Sequence, residues 1–107
     1  MPESIVVDSC TTKASTNDYA IALSASPCGI TGEKLVFSFK NVGDDTISYK
    51  FVATDGVTEH TYDADTTLAS GADDVSVFVL PWKRVDMYIK STVAETPGAL
   101  TGKVLYG

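Results

Sequence analysis

Histidine, cysteine and basic residues are all scarce in this chain of 107 residues, and each shortage removes a class of function. There is one histidine, His60, and there are two cysteines, Cys10 and Cys28. A structural zinc site needs three or four Cys or His ligands at characteristic spacing, which two cysteines and one histidine at positions 10, 28 and 60 do not show. Eight Lys and Arg face fourteen Asp and Glu, for a net charge of −6. A field of that sign repels phosphate backbones and anionic lipid, so neither a nucleic acid nor a membrane is an expected partner. No apolar run approaches the roughly 20 residues of a membrane-spanning helix. The opening Met-Pro-Glu-Ser lacks the basic start and apolar stretch of a signal peptide, so folding is expected in the cytoplasm where the chain is made.

The groups that would carry catalysis are equally sparse. No Gly-x-Ser-x-Gly turn presents a nucleophile, and no Gly-rich loop is built to cradle phosphate. His60 sits in the polar stretch Thr58-Glu59-His60-Thr61-Tyr62 with no partner in sequence to orient it as a base. The acidic pairs Asp44/Asp45, Asp63/Asp65 and Asp73/Asp74 all fall in turn-like segments. Aspartate is favoured there because its side chain hydrogen-bonds nearby backbone. Asp63-Ala64-Asp65 offers two oxygen ligands, well short of the six to eight that calcium takes, and EF-hand spacing is missing. No catalytic residue, metal site or cofactor is expected.

What the chain has in abundance is alternation. Leu35, Phe37 and Phe39 share one side of residues 34–40, with Val36, Ser38 and flanking lysines on the other. Ile47, Tyr49, Phe51 and Ala53 repeat the pattern in 46–54. A period of two marks strands with one face in a core. Asn41-Val42-Gly43-Asp44-Asp45 has hairpin length and turn chemistry, which predicts that these two strands pair with each other. Further strands are expected at 5–7, 19–23, 75–80, 85–90 and 102–106, and a short edge strand at 60–62. Ser26-Pro27-Cys28-Gly29, Asp55-Gly56, Ser70–Asp74 and Glu95–Gly98 punctuate them as turns. No window carries a helical stripe. Seven or eight short strands separated by turns predict an all-β chain, an antiparallel β-sandwich with Ig-like or jelly-roll-like connections. Residues 1–17 read as an N-terminal arm or first strand, with Ser9 to Asp18 a loop, and 18–107 as the sandwich domain.

Two features bear on sites. Cys10 and Cys28 are either two reduced thiols or a disulfide tying down the N-terminal arm. If Val75, Val77 and Val79 point into the core, then Phe78 and Leu80 point out, near Trp82 and Tyr88. An outward cluster of Phe78, Leu80, Trp82 and Tyr88 would be a partner-binding surface, since large exposed apolar patches mark contacts and Trp and Tyr anchor them. The competing expectation is that segment 55–74 folds over these side chains and buries them.

The order of these segments resembles that of small head-decoration (cement) proteins of tailed bacteriophages. The resemblance runs from Glu33 to Tyr106. It rests on the apolar strand Lys34–Lys40 ending in Asn41-Val42-Gly43, the following strand Thr46–Phe51, and the small-residue turn Leu68–Asp74 leading into Val75-Ser76-Val77. Val85–Lys90 and the closing Thr101–Tyr106 complete the order. The resemblance implies a non-catalytic virion protein that binds the major capsid protein on the outer capsid surface. It also implies a homo-oligomer, often a trimer around a local symmetry axis. A carbohydrate-binding or adhesion module of a fibre or tail is the alternative, with Trp82 and Tyr88 as its sugar platform.

Overall fold

In the computed structural model, residues 5–14, 18–25, 34–79, 83–91 and 99–106 are described. They form eight strands and, among them, no helix. These are β1 (Ile5–Ala14), β2 (Ala20–Ala25), β3 (Lys34–Asn41), β4 (Ile47–Thr54), β5 (Glu59–Leu68), β6 (Asp73–Val79), β7 (Arg84–Ser91) and β8 (Ala99–Tyr106). The first sheet has the order β1-β8-β3-β6 and the second β2-β7-β4-β5. All pairings are antiparallel. β1 lies beside β8, β2 beside β7, β3 beside β6 and β4 beside β5, so the chain is one long hairpin rolled into two layers. That is the jelly-roll arrangement of an eight-stranded sandwich.

The core lies between the sheets and is rich in aromatic rings. Phe37 meets Phe51 edge-on at 5.0 Å and Phe39 meets Tyr49 at 5.1 Å, each pair bridging the two layers. Leu23, Leu35, Ile47, Met87, Ile89, Leu100 and Val104 complete it, all fully buried. Edge-to-face rings gain from the quadrupole as well as from burial.

These contacts explain a departure from the sequence expectation. β3 and β4 are successive and were expected to pair, yet they lie in opposite sheets. Each has one face whose central residues are apolar (Leu35, Phe37 and Phe39 on β3; Ile47, Tyr49, Phe51 and Ala53 on β4), and stacking the two face to face buries both. The link between them, residues 42–46, is an arch organised by Asn41. Its buried side-chain amide donates to the carbonyls of Asp45 (2.8 Å) and Leu68 (2.9 Å), and its Oδ1 accepts the Gly43 N–H at 2.9 Å. Asn41 N–H donates to the Ala72 carbonyl and its carbonyl accepts the Gly71 N–H, both at 2.9 Å. One asparagine thus joins the arch to the β5–β6 turn.

Three further expectations need correction. β1 continues through Ala14 along β8, so Ser9 to Ala14 is strand and not loop. Its inner neighbour β8 supplies the backbone partners that the polar sequence hid. β5 spans ten residues instead of three. Its exposed edge position asks for no apolar alternation, and it breaks at a bulge where Asp63 and Asp65 adopt φ of 56°. β6 has the opposite phase: Phe78 points in, 8% exposed, while Val75 and Val77 point out, 55% and 52% exposed.

Two glycines are required by geometry. Gly102 lies between Cys10 and Phe39 in register, and a Cβ there would stand 2.9 Å from the Ser38 carbonyl oxygen. Gly56, at φ +98°, turns the β4–β5 hairpin, where Asp55 Oδ1 accepts the N–H groups of Val57 and Thr58 at 2.8 Å. These two bonds hold the Asp55 carboxyl below its ordinary pKa.

Candidate contact surface

Of the four residues expected to form one outward cluster, Phe78 and Tyr88 lie among the described residues, and they stand on different faces. Phe78 is a core residue, its ring 5.0 Å from Phe51, 5.6 Å from Phe37 and 5.7 Å from Tyr62. Segment 55–74 therefore does cover Phe78, through Tyr62 on β5. Tyr88 is half-buried on the outer face of the second sheet. Leu80 and Trp82 lie outside the described residues, as does Cys28 and with it the Cys10–Cys28 pairing. The Cys10 thiol is half-buried and 3.7 Å from the Leu100 carbonyl.

What the structure does bring together on an outer face is a row of aliphatic side chains. In register, Val6 of β1 lies opposite Leu105 of β8, Leu105 opposite Val36 of β3, and Val36 opposite Val77 of β6. The row crosses all four strands of the first sheet. Val6, 56% exposed, and Val77 stand at its ends, and Val75 adjoins it on β6. A sandwich sheet facing water is expected to be polar on that side, so an unbroken apolar row is a departure that asks for a function.

Beside the row, on the same face, lies a shallow groove of about 400 Å³. Ser9, Ser38, Lys40, Thr101, Gly102 and Lys103 contribute to its walls. Lys34, Lys40 and Lys103 are exposed on this face, with Asp73 opposite Lys40 in register. The face is thus locally basic in an acidic chain. It can offer a partner apolar area and cationic donors together.

The outer face of the second sheet is organised differently. Tyr19, just before β2, receives the ammonium groups of Lys50 at 4.5 Å and Lys90 at 4.6 Å from its ring centre. Its hydroxyl donates to Asp65 at 2.7 Å, from the β5 bulge. Burial, reinforced by that carboxylate, pushes the Tyr19 hydroxyl up to about 12. Lys50 also approaches the Tyr88 ring at 5.4 Å. Farther along, Arg84 Nε lies 2.9 Å from the Asp86 carboxylate, which also accepts the Ser24 hydroxyl. The positive-φ aspartates singled out as calcium candidates are thus partly accounted for, since Asp65 answers Tyr19 and Lys90. Among the described residues, no three His, Cys, Asp or Glu side chains gather as metal ligands, and no helix is long and apolar enough to cross a membrane. His60 is exposed on β5, opposite Ala53.

The row was missed in the sequence because its members stand at 6, 36, 77 and 105, and only strand register aligns them. One signal was present: Val36 sits on the polar side of an otherwise clean alternation. No known family model, no curated protein and no solved structure matches this chain.

Proposed function

We propose that this protein is a capsid decoration protein of a tailed bacteriophage, a non-catalytic structural component that docks on the outer capsid surface and stabilises the shell. The outer face of the first sheet is its contact surface. One observation carries the contact role: the Val6–Leu105–Val36–Val77 row, flanked by Lys34, Lys40 and Lys103. The resemblance of residues 33–106 to head-decoration proteins supplies the partner, the major capsid protein. The eight-stranded jelly roll agrees with either a capsid or a lectin role and does not choose between them.

In this reading, docking buries the aliphatic row against apolar capsid surface while the lysines meet carboxylates around it. Binding stabilises by mass action whichever lattice state presents that surface. The chain is synthesised in the host cytoplasm and resides on the virion.

The test uses expanded tailed-phage capsids stripped of decoration. The protein is expected to co-sediment with them and to raise their melting temperature. The double variant Val6→Asp with Val36→Asp is expected to remain folded and to lose co-sedimentation. A wild-type protein that stays in the supernatant refutes the decoration reading. A variant that binds as well as wild type refutes this face as the contact.

A further inference from the structure

Each sheet has two edges, and three of the four are blunted. β1 carries register shifts between Val6 and Asp8 and between Cys10 and Lys13. β2 is shifted between Ile21 and Leu23. β5 is broken opposite Tyr49–Phe51 by the bulge that holds Asp63 and Asp65 at positive φ. Bulges bend an edge and interrupt its row of outward N–H and C=O groups, which is how sandwiches avoid adding strands. β6 has no such shift; its Val75 N–H donates to the Asp74 carboxylate at 2.8 Å, an exposed local bond that strand pairing can replace. It pairs with β3 without a shift from Lys34↔Val79 to Lys40↔Asp73, and among the described residues no strand lies beyond it.

We propose that β6 is a pairing edge, and that its occupant is the β6 of a second copy of this chain, antiparallel about a twofold axis. The two first sheets then become one continuous sheet.

The sequence of β6 is self-complementary in that arrangement. A register centred on Ser76 pairs all seven residues, Asp73 to Val79, and keeps outward residues opposite outward residues. Val75 then lies opposite Val77 of the second copy, and Val77 opposite its Val75. Four exposed valines become two cross-strand pairs, the β-branched pairing that stabilises sheets. Asp74 falls opposite Phe78, so carboxylates of the two copies are not neighbours. They stand about 14 Å apart along the strand, beyond the roughly 8 Å screening length at physiological salt. A register centred on Asp74 would place like charges directly opposite each other, which is destabilising. The aliphatic row also ends on β6, at Val77, so pairing carries it across the junction into the row of the second copy. An isologous contact of this kind uses the same patch on both chains.

The inference goes beyond the capsid reading and is tested without a capsid. A single edge pairing is a small interface, so the dimer is expected to form at concentrations on the order of 100 µM. Light scattering behind size exclusion should then give twice the 11.3 kDa chain mass. Val75→Lys with Val77→Lys puts four cations at the junction and should return the monomer. Val6→Lys, at the far end of the row, should leave the dimer intact. Hydrogen exchange on the wild type provides a readout that needs no variant: β6 amides should become more protected as concentration rises, while β5 amides do not. A wild-type chain that stays monomeric overturns the proposal, as does a trimer or a dimer that survives the double lysine variant. A monomer whose β6 amides are protected only on a capsid overturns it too, in favour of a strand from the capsid.

Discussion

The two outer faces of this sandwich are built from the same alternating pattern and have been put to different uses. On the second sheet, the charged and aromatic side chains of one outward cluster are engaged with one another. Tyr19 lies between Lys50 and Lys90 and reaches Asp65, and Asp86 holds Arg84 and Ser24. On the first sheet Val6 and Val77 of the aliphatic row are exposed, Val36 and Leu105 are half-buried, and the lysines beside them are exposed. A face whose polar groups answer each other within the chain supports the fold. A face of exposed valines contributes little to the fold and is left for a partner. The difference turns on register: alternation on each strand is local, but a row or a cluster exists only when several strands are aligned.

The comparison can be pressed from its largest expected effect downward. Phe37→Ala removes the ring shared by Phe51 and Phe78 and should cost about 3–5 kcal/mol in urea unfolding. Because the two faces share that core, hydrogen exchange should rise in both sheets. Asn41→Ala deprives the buried carbonyl of Leu68, together with the Gly43 N–H, of a partner and should cost about 2–3 kcal/mol. Tyr19→Ala should cost about 1–2 kcal/mol, from two cation–π contacts and a hydrogen bond. Val75→Thr with Val77→Thr, on the opposite face, should stay within about 0.5 kcal/mol of wild type. Equal losses from the Tyr19 and valine variants would erase the distinction between the faces.

Alkaline pH probes one tyrosine of the engaged outer face and one of the core between the sheets. Tyr19 and Tyr49 are both pushed up to about 12, each first by burial and then by an accepting carboxylate, Asp65 for one and Asp74 for the other. The folded chain therefore holds these phenolic protons above the ordinary pKa of 10.0, where the unfolded chain releases them. The stabilisation is complete below pH 10 and declines as pH rises toward 12. The melting temperature should fall across that window, and Tyr19→Phe with Tyr49→Phe should flatten the decline. A double variant as steep as wild type would contradict these assignments.

Much of the sandwich was legible in the sequence because its inner strands must alternate. β3, β4 and β7 each place an apolar residue at every second position, and the structure buries those residues. The edges were the illegible part. In β6 three valines at odd positions outnumber the one phenylalanine, yet the inner face holds Asp74, Ser76 and Phe78. At the rim an inward aspartate is tolerable because the Tyr49 hydroxyl reaches it at 3.1 Å. In β5 no apolar period survives; among the described residues it has a strand neighbour on one side only. Nor does a five-residue link declare whether it turns within a sheet or arches between two. The contact surface was illegible for the same reason, its residues being drawn from four strands distant in sequence.

Lysine labelling read by mass spectrometry, with and without expanded capsids, tests the central claim most directly. The claim predicts that Lys40 and Lys103 lose reactivity on binding while Lys50 and Lys90, on the opposite face, keep their free-state values. Protection of Lys50 and Lys90 with Lys40 and Lys103 unchanged would contradict it.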